Sequence, residues 1–190
     1  MIKLTVFLGN YGNRYRLTRH NAAWQLAGQL SFHDRLGWKK KFKGRFAAVA
    51  LHGCKQLFLK PETYMNKSGN SVQAMAHFHC VAADEIVVVH DDVELQFAHI
   101  SFKQGGGLAG HNGLRSIASL LGTVEFYRMR LGVSRPARGD VAAHVLGDFT
   151  DQEMTQLPVF LGRAAEALEL CYQDGVAKVA QAYAKPMSTL

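Results

Sequence analysis

The chain has 190 residues, enough for one domain with a full core. Its 22 Lys and Arg against 15 Asp and Glu leave a formal charge of +7, which suits an anionic partner such as a nucleic acid or an acidic surface without choosing between them. The three cysteines, Cys54, Cys80 and Cys171, are far apart and in no C-x-x-C pair; they argue against a disulfide framework or a structural zinc, and with no signal peptide or transmembrane run in view a cytoplasmic protein is expected.

In chain order, Lys3 to Gly9 reads as a buried first strand, and Ala23, Leu26, Ala27 and Leu30 form one face of a helix that starts near Asn21. Between them lies a long polar loop, Gly9 to Asn21, with one imidazole (His20), amides at Asn10, Asn13 and Asn21, the phenol of Tyr15 and three arginines. Asp34 to Lys43 reads as a charged loop with a basic cluster at Lys39, Lys40, Lys41 and Lys43, chiefly a solvated face. Phe46 to Leu51 and Gln56 to Leu59 are strands joined by a hairpin turn at His52-Gly53-Cys54-Lys55. A second polar loop, Pro61 to Gly69, precedes a helix with Val72, Met75, Ala76 and His79 at helical spacing.

Glu85 to His90 is the most strand-like run, and its continuous β-branched character implies burial on both faces in a central position. It ends in His90-Asp91-Asp92-Val93-Glu94. Carboxylates packed there are costly unless something uses or solvates them. A short strand, His99 to Lys103, leads into the Gly-rich loop Gly105 to Gly113 and a helix carrying Leu114, Ile117, Ala118 and Leu121. Phe126 to Val133 is a strand with alternating arginines, and Ser134 to Asp140 a flexible basic loop. Thr150 to Glu153 is a capping box that opens a C-terminal helix, with Pro158 either kinking it or marking a later start, and Gly175 as its stop. A final short helix runs to about Ala184. Strands alternating with helices predict a single α/β domain over residues 1–190, with a mixed, mainly parallel central sheet and helices on both faces.

In such a sheet the loops at the carboxyl ends of the strands share an edge. Asn10 to Asn21, Tyr64 to Asn66, Asp91 to Glu94 and Gly105 to Asn112 therefore meet in one cleft. An imidazole polarised by a carboxylate, His20 with Asp91, suits general-base activation of water. No G-x-S-x-G elbow and no cysteine in a nucleophile setting offers covalent catalysis. Gly105-x-Gly107-x-x-Gly110 matches a dinucleotide fingerprint in form, yet the next strand ends without the acid that would hold a ribose, so a nicotinamide cofactor is not expected. The competing chemistry is a divalent metal on His90, Asp91, Asp92, Glu94 and His111, although no fixed-spacing ligand pair is present.

Taken together and in order, these segments resemble the bacterial-type peptidyl-tRNA hydrolases. The likeness rests on Gly9-Asn10-x-Gly12, Tyr15, Thr18-Arg19-His20-Asn21, Thr63-Tyr64-Met65-Asn66-x-Ser68-Gly69, His90-Asp91, Gly105-Gly106-Gly107-x-x-Gly110-His111-Asn112-Gly113-Leu114, Arg128-x-Arg130-x-Gly132 and Val145-Leu146-Gly147. The resemblance implies a monomer without cofactor or metal that cuts the ester between a peptide and the 3′ ribose of tRNA, recycling prematurely released peptidyl-tRNA. His20 is then the base that activates water, and Asp91 orients it. Asn10 contacts substrate near the scissile ester and helps tell peptidyl-tRNA from aminoacyl-tRNA. Asn66 and Asn112 hold peptide backbone or terminal adenosine, Tyr15 and Tyr64 line the groove for the acceptor end, and Lys103 and Arg130 face tRNA.

The chain departs from the pattern at Tyr11, which stands in place of Pro, and at Glu94, in place of Asp. Leu95 to Ala98 lacks the expected Leu-Pro-x-x-Gly, and Leu108 and Ala109 replace small or polar residues. The altered run around Glu94 to Ala98 keeps a second reading open, an RNA-binding protein of the same fold without catalysis. A third is the metal-dependent hydrolase already weighed.

Overall fold

The computed structural model describes residues 1–136 and 138–183. Seven strands form one sheet in the order β2-β3-β4-β1-β5-β7-β6. Its middle is four parallel strands: β4 (Cys54–Pro61), β1 (Leu4–Phe7), β5 (Ile86–Asp92) and β7 (Tyr127–Gly132). Antiparallel strands complete both sides, β2 (Lys39–Lys41) and β3 (Gly44–Leu51) next to β4, and β6 (Ile100–Gln104) next to β7.

The period of two along each strand divides the core between two faces. Phe7, Phe58, Val87 and Val89 pack with Leu26, Leu161 and Leu168 on one side. Leu4, Val6, Ile86 and Val88 pack with Val72, Met75, Leu114 and Ile117 on the other. The first side carries α1 (Ala22–Leu26) and α5 (Asp151–Asp174), and the second α2 (Ser68–His79) and α3 (Asn112–Leu121). β5 is buried at every position, as its unbroken apolar run predicts.

Several boundaries differ from the sequence reading, each for a physical reason. Lys39–Lys41 is a strand and not a loop. It pairs with β3, and its exposed lysines charge the outer edge of the sheet, which discourages pairing with another chain. The hairpin turn is only His52-Gly53, both at positive φ (48° and 76°) as a two-residue type I′ turn requires, while Cys54 and Lys55 already pair with Leu51 and Ala50. Helix α1 is short, but the face expected of it, Ala23, Leu26, Ala27 and Leu30, is buried. Helix α5 runs unbroken through Pro158 from its Thr150–Glu153 capping box to Gly175. Pro158 and Met154, whose carbonyl loses its partner, both lie on the exposed side, where water can replace the bond. Two further α-helices are short, α4 (Val141–Leu146), absent from the sequence reading, and α6 (Val176–Ala182). Residue 184, the expected end of the last helix, and Ala137, within the loop expected to be flexible, lie outside the described residues.

The altered run before β6 keeps a definite shape. Ser134 donates its N–H to the Leu95 carbonyl and its hydroxyl accepts from the Phe97 N–H, while Phe97 packs on Phe149 and Phe160. Ala98, at φ 66°, adopts the left-handed conformation at the end of the run, which Gly takes up without a Cβ penalty.

Two substitutions of opposite sign test this packing. Helices α2 and α3 touch at Gly69, where an added Cβ would overlap the Ser116 carbonyl. Gly69→Ala is expected to destabilise by about 1–3 kcal/mol, as overpacking does. Ala98→Gly relieves a left-handed alanine and is expected to stabilise by about 1 kcal/mol. Urea midpoints at unchanged slope measure both.

Candidate active site

The carboxyl edge of β1 and β5 opens into a cavity of about 480 Å³. Asn10, His20, Met65, His90, Asp91, His111 and Asn112 line it, with the apolar face of α4 (Val141, Val145 and Leu146) as the facing wall. The convergence expected of the four polar segments is therefore present. Asp91 belongs to β5 itself, whose pairing with β7 continues through Asp92, so its backbone is fixed by the sheet rather than by a loop.

The centre of the cavity is the Asp91 carboxylate, only 3% exposed. Its Oδ1 accepts from His20 Nδ1 at 2.8 Å and lies 3.3 Å from His111 Nε2. The His111 tautomer follows from its other nitrogen. Nδ1 accepts the N–H groups of Gly113 and Leu114 and so caps α3, which puts the ring proton on Nε2, facing Asp91. His20 donates through Nδ1, leaving Nε2 as its basic atom. His90 donates from Nδ1 to the Asp91 carbonyl at 2.7 Å, and its Nε2 is buried without a partner among the described residues.

Burial and charge act against each other in this group. Burial alone would lower the pKa of His20, but the charge and hydrogen bond of Asp91 raise it above its ordinary 6.5. Burial would raise Asp91, and the His20 charge together with the hydrogen bonds from both rings hold it well below the usual carboxylate range. His90 goes the other way, kept neutral by burial and by neighbouring His111. The contribution of His20 to stability is complete below about 6.5 and is lost as pH rises through its raised pKa. That of Asp91 is present above about 3.8 and is lost as pH falls through its depressed pKa. The pair thus favours the folded state between these two limits.

Local structure explains why Asn10 and His20 stand where they do. Asn21 is buried and clamps the main chain of Asn10, accepting its N–H at 2.7 Å and donating to its carbonyl at 3.0 Å. Of the amides singled out in that loop, Asn21 is therefore committed to structure, and Asn10 is the one left with its side chain at the cavity. The Trp24 indole donates to the Phe7 carbonyl, and a Cβ on Gly9 would run into that indole, so only Gly fits at the strand's end. Arg19, beside His20, is buried and reaches the carbonyls of His144, Gly147 and Asp148 and the Glu153 carboxylate.

The remaining predicted residues are spread more widely. Asn112 lines the cavity as the first residue of α3. Asn66 is exposed beside cavity-lining Met65. Tyr15 and Tyr64 line a neighbouring cavity of about 410 Å³ that shares Asn10 with the first. Lys103 is exposed on β6, and Arg130 donates to Asp92 at 2.7 Å. Arg128, buried, holds the Gly-rich loop by the carbonyls of Gly105 and Gly107. The competing metal set, His90, Asp91, Asp92, Glu94 and His111, does not bring its ligating atoms together as a set among the described residues; Asp92 is held by Arg130 and Glu94 by Arg135. His20, Asp91 and His111 do bring ligating atoms within 4.8 Å of one another, but Oδ1 of Asp91 already faces a ring nitrogen of each histidine. Sequence reasoning missed the wall made by α4, whose signal is Asp140 two and three residues before the N–H groups that it caps. It also read His111 only as a metal ligand.

Fold and cavity together define an α/β protein with a hydrogen-bonded imidazole–carboxylate pair in a cavity at the carboxyl edge of parallel strands. The family model for peptidyl-tRNA hydrolase matches residues 4–189, and the chain belongs to that family. Relatives named peptidyl-tRNA hydrolase include one from Geotalea daltonii, 39% identical over 183 residues and 96% of each chain, and one from Mycobacterium leprae, 44% identical over 173 residues, covering 88% of this chain and 86% of the relative. The crystal structure of peptidyl-tRNA hydrolase from Acinetobacter baumannii superposes with a TM-score of 0.85 at 34% identity, covering 95% of this chain and 93% of that one. A peptidyl-tRNA hydrolase solved with N-propanol gives 0.87 at 35% identity, covering 98% and 97%.

Replacing the carboxylate separates the two influences on His20. In Asp91→Asn the ring stays buried but loses its counter-charge. Its pKa, read from ring resonances in an NMR pH titration, is expected to fall from above 6.5 in the wild type to below 6.5.

Proposed function

We propose that this chain hydrolyses the ester between the peptide and the 3′ ribose of peptidyl-tRNA, with water as nucleophile and His20 as general base. The observation that carries the mechanism is the single proton arrangement around Asp91, in which His20 offers Nε2 and is oriented through Nδ1. In the catalytic step Nε2 takes a proton from water as the oxygen attacks the ester carbonyl. The imidazolium so formed is stabilised by the ionised Asp91. Collapse of the tetrahedral intermediate breaks the bond to the 3′ oxygen, which takes the proton back from Nε2, leaving free tRNA and peptide.

Family membership supports the substrate, and the geometry supports the division of labour. Asn10 and Asn112 are neutral hydrogen-bonding groups on the wall of the same cavity. An N-blocked peptide presents an amide that such groups satisfy, whereas an aminoacyl ester presents an ammonium that they solvate poorly. Asn66, Tyr15 and Tyr64 are assigned to the flanks of the bound acceptor end and peptide, and Lys103 and Arg130 to the tRNA backbone. The reading needs no metal or cofactor. Turnover is favoured over binding alone because the altered run Glu94 to Ala98 leaves the His20–Asp91 pair assembled. Among the described residues no helix is long and apolar enough to cross a membrane. A monomer working in the cytoplasm completes the proposal.

A matched pair of substrates tests it, N-acetyl-aminoacyl-tRNA and the same aminoacyl-tRNA unblocked, each with chelator present. Wild type is expected to cut only the blocked substrate, at a rate that rises with pH through the His20 pKa. His20→Ala is expected to lose about 10²- to 10⁴-fold in kcat. A folded wild type that leaves the blocked substrate intact sinks the proposal.

Selectivity has its own test. Asn10→Asp adds a charge that attracts the ammonium of the unblocked ester and finds no such partner on the blocked one. The ratio of kcat/KM for blocked over unblocked substrate is expected to drop by about tenfold or more.

A further inference from the structure

A third cavity, of about 640 Å³, lies beyond the one lined by Tyr15 and Tyr64 and shares Tyr11 and Glu62 with it. Asn10 in turn joins that middle cavity to the catalytic one, so the three form a continuous series. The outer cavity is cationic and aromatic. Arg16, Arg45 and Lys60 line it with Trp24 and Trp38, and its one lining carboxylate, Glu62, is bound by Arg45 at 2.7 Å.

The sheet register makes this arrangement unusual. Lys40 stands opposite Arg45 across β2 and β3, and Arg45 stands opposite Lys60 across β3 and β4. Three cations thus lie side by side across three strands, where like charges directly opposite are unfavourable. Burial and the charge of Arg45 lower the pKa of Lys60 to about 8. Its ammonium lies 4.9 Å from the Trp38 ring centre and 5.7 Å from that of Trp24, and its one protein acceptor is the Trp24 carbonyl at 3.3 Å. Among the described residues neither Lys40 nor Lys60 has a carboxylate partner. An ammonium so placed keeps N–H groups for an anion from outside the chain.

From this row and its cavity we infer that Lys60, with Arg45 and Lys40, forms a subsite for a phosphodiester of the RNA strand, on the opposite side of the catalytic cavity from Lys103. The inference rests on the peptidyl-tRNA reading and adds to it where the RNA is held. A phosphodiester fits better than an acidic peptide side chain, the other anion the substrate could bring. Peptides differ in charge from one substrate to the next, whereas every nucleotide carries a phosphate. The exposed lysines of β2 extend the cationic surface outward from Trp38, as a strand of RNA would require.

The test compares wild type, Lys60→Met, which keeps the length and packing of the side chain, and Lys60→Arg. Affinity for deacylated tRNA is measured across a salt series, which needs no turnover. Lys60→Met is expected to weaken binding by about 3- to 10-fold and to reduce the slope of log affinity against log salt by about one, with Lys60→Arg close to wild type. In the second arm, kcat/KM for a 3′-(N-acetyl-aminoacyl) ester of adenosine, which has no phosphodiester, is expected to be unchanged in Lys60→Met. Unchanged tRNA affinity in Lys60→Met overturns the inference. So does an equal loss on the adenosine ester, which would mean that Lys60 acts only by holding Trp24. If wild type cuts neither ester, the hydrolase reading fails, and the affinity arm still decides whether Lys60 contacts RNA phosphate.

Discussion

A carboxylate placed at the end of a buried parallel strand must stay ionised with almost no water around it. Asp91 meets that demand with two imidazoles on one oxygen, His20 from the first loop and His111 from the start of α3. Each ring answers to a different master. His111 spends its second nitrogen on the first N–H groups of α3, so its orientation is fixed by the helix. His20 has no such second engagement among the described residues, and its free nitrogen is the one available for chemistry. The same carboxylate therefore ties two loops to the sheet and raises the basicity of His20. Few kilocalories of stability are at stake in such a buried pair, since desolvation offsets much of the attraction. What it secures is position.

Around this centre the fold supplies rigidity of a plain kind. The period of two in β1 and β5 sends alternate residues to two separate cores, so both strands are clamped from both faces up to the residues that carry the site. The Asn21 amide replaces a strand neighbour for Asn10 just beyond the point where sheet pairing stops. The loop that leads from β1 to the base is thus held at its start by a side chain and at its end by Arg19. Polar groups that sequence alone would offer to a substrate are in part used up by this scaffolding.

That division marks the limit of what was legible in the sequence. The parallel centre of the sheet, the central place of β5 and the meeting of His20 with Asp91 follow from hydrophobic pattern and strand ends, signals carried by neighbouring residues. The fate of Asn21, the pairing of Arg130 with Asp92 and the scattering of the supposed metal ligands depend on which side chains face one another across distant segments. No local pattern encodes that. Lys39–Lys41 shows the same limit in reverse, because three lysines have little strand propensity and are ordered by the partner strand rather than by their own preference. Helix α4 is six residues long, too short for periodicity to announce it, yet it forms the apolar wall of the cavity.

Arg19 links that wall to His20, the proposed base. Its guanidinium gathers the last turn of α4, the main chain just beyond it and the cap of α5, while the next residue in sequence is His20. The apolar wall of the cavity and the loop that carries His20 are consequently joined through a single side chain. On the proposed mechanism, a substitution that shifts α4 is expected to reach His20 through Arg19, so the shape of the cavity wall and the placement of the proposed base are not independent. Val141 and Val145 line the cavity, so changes confined to those side chains alter its shape without passing through Arg19.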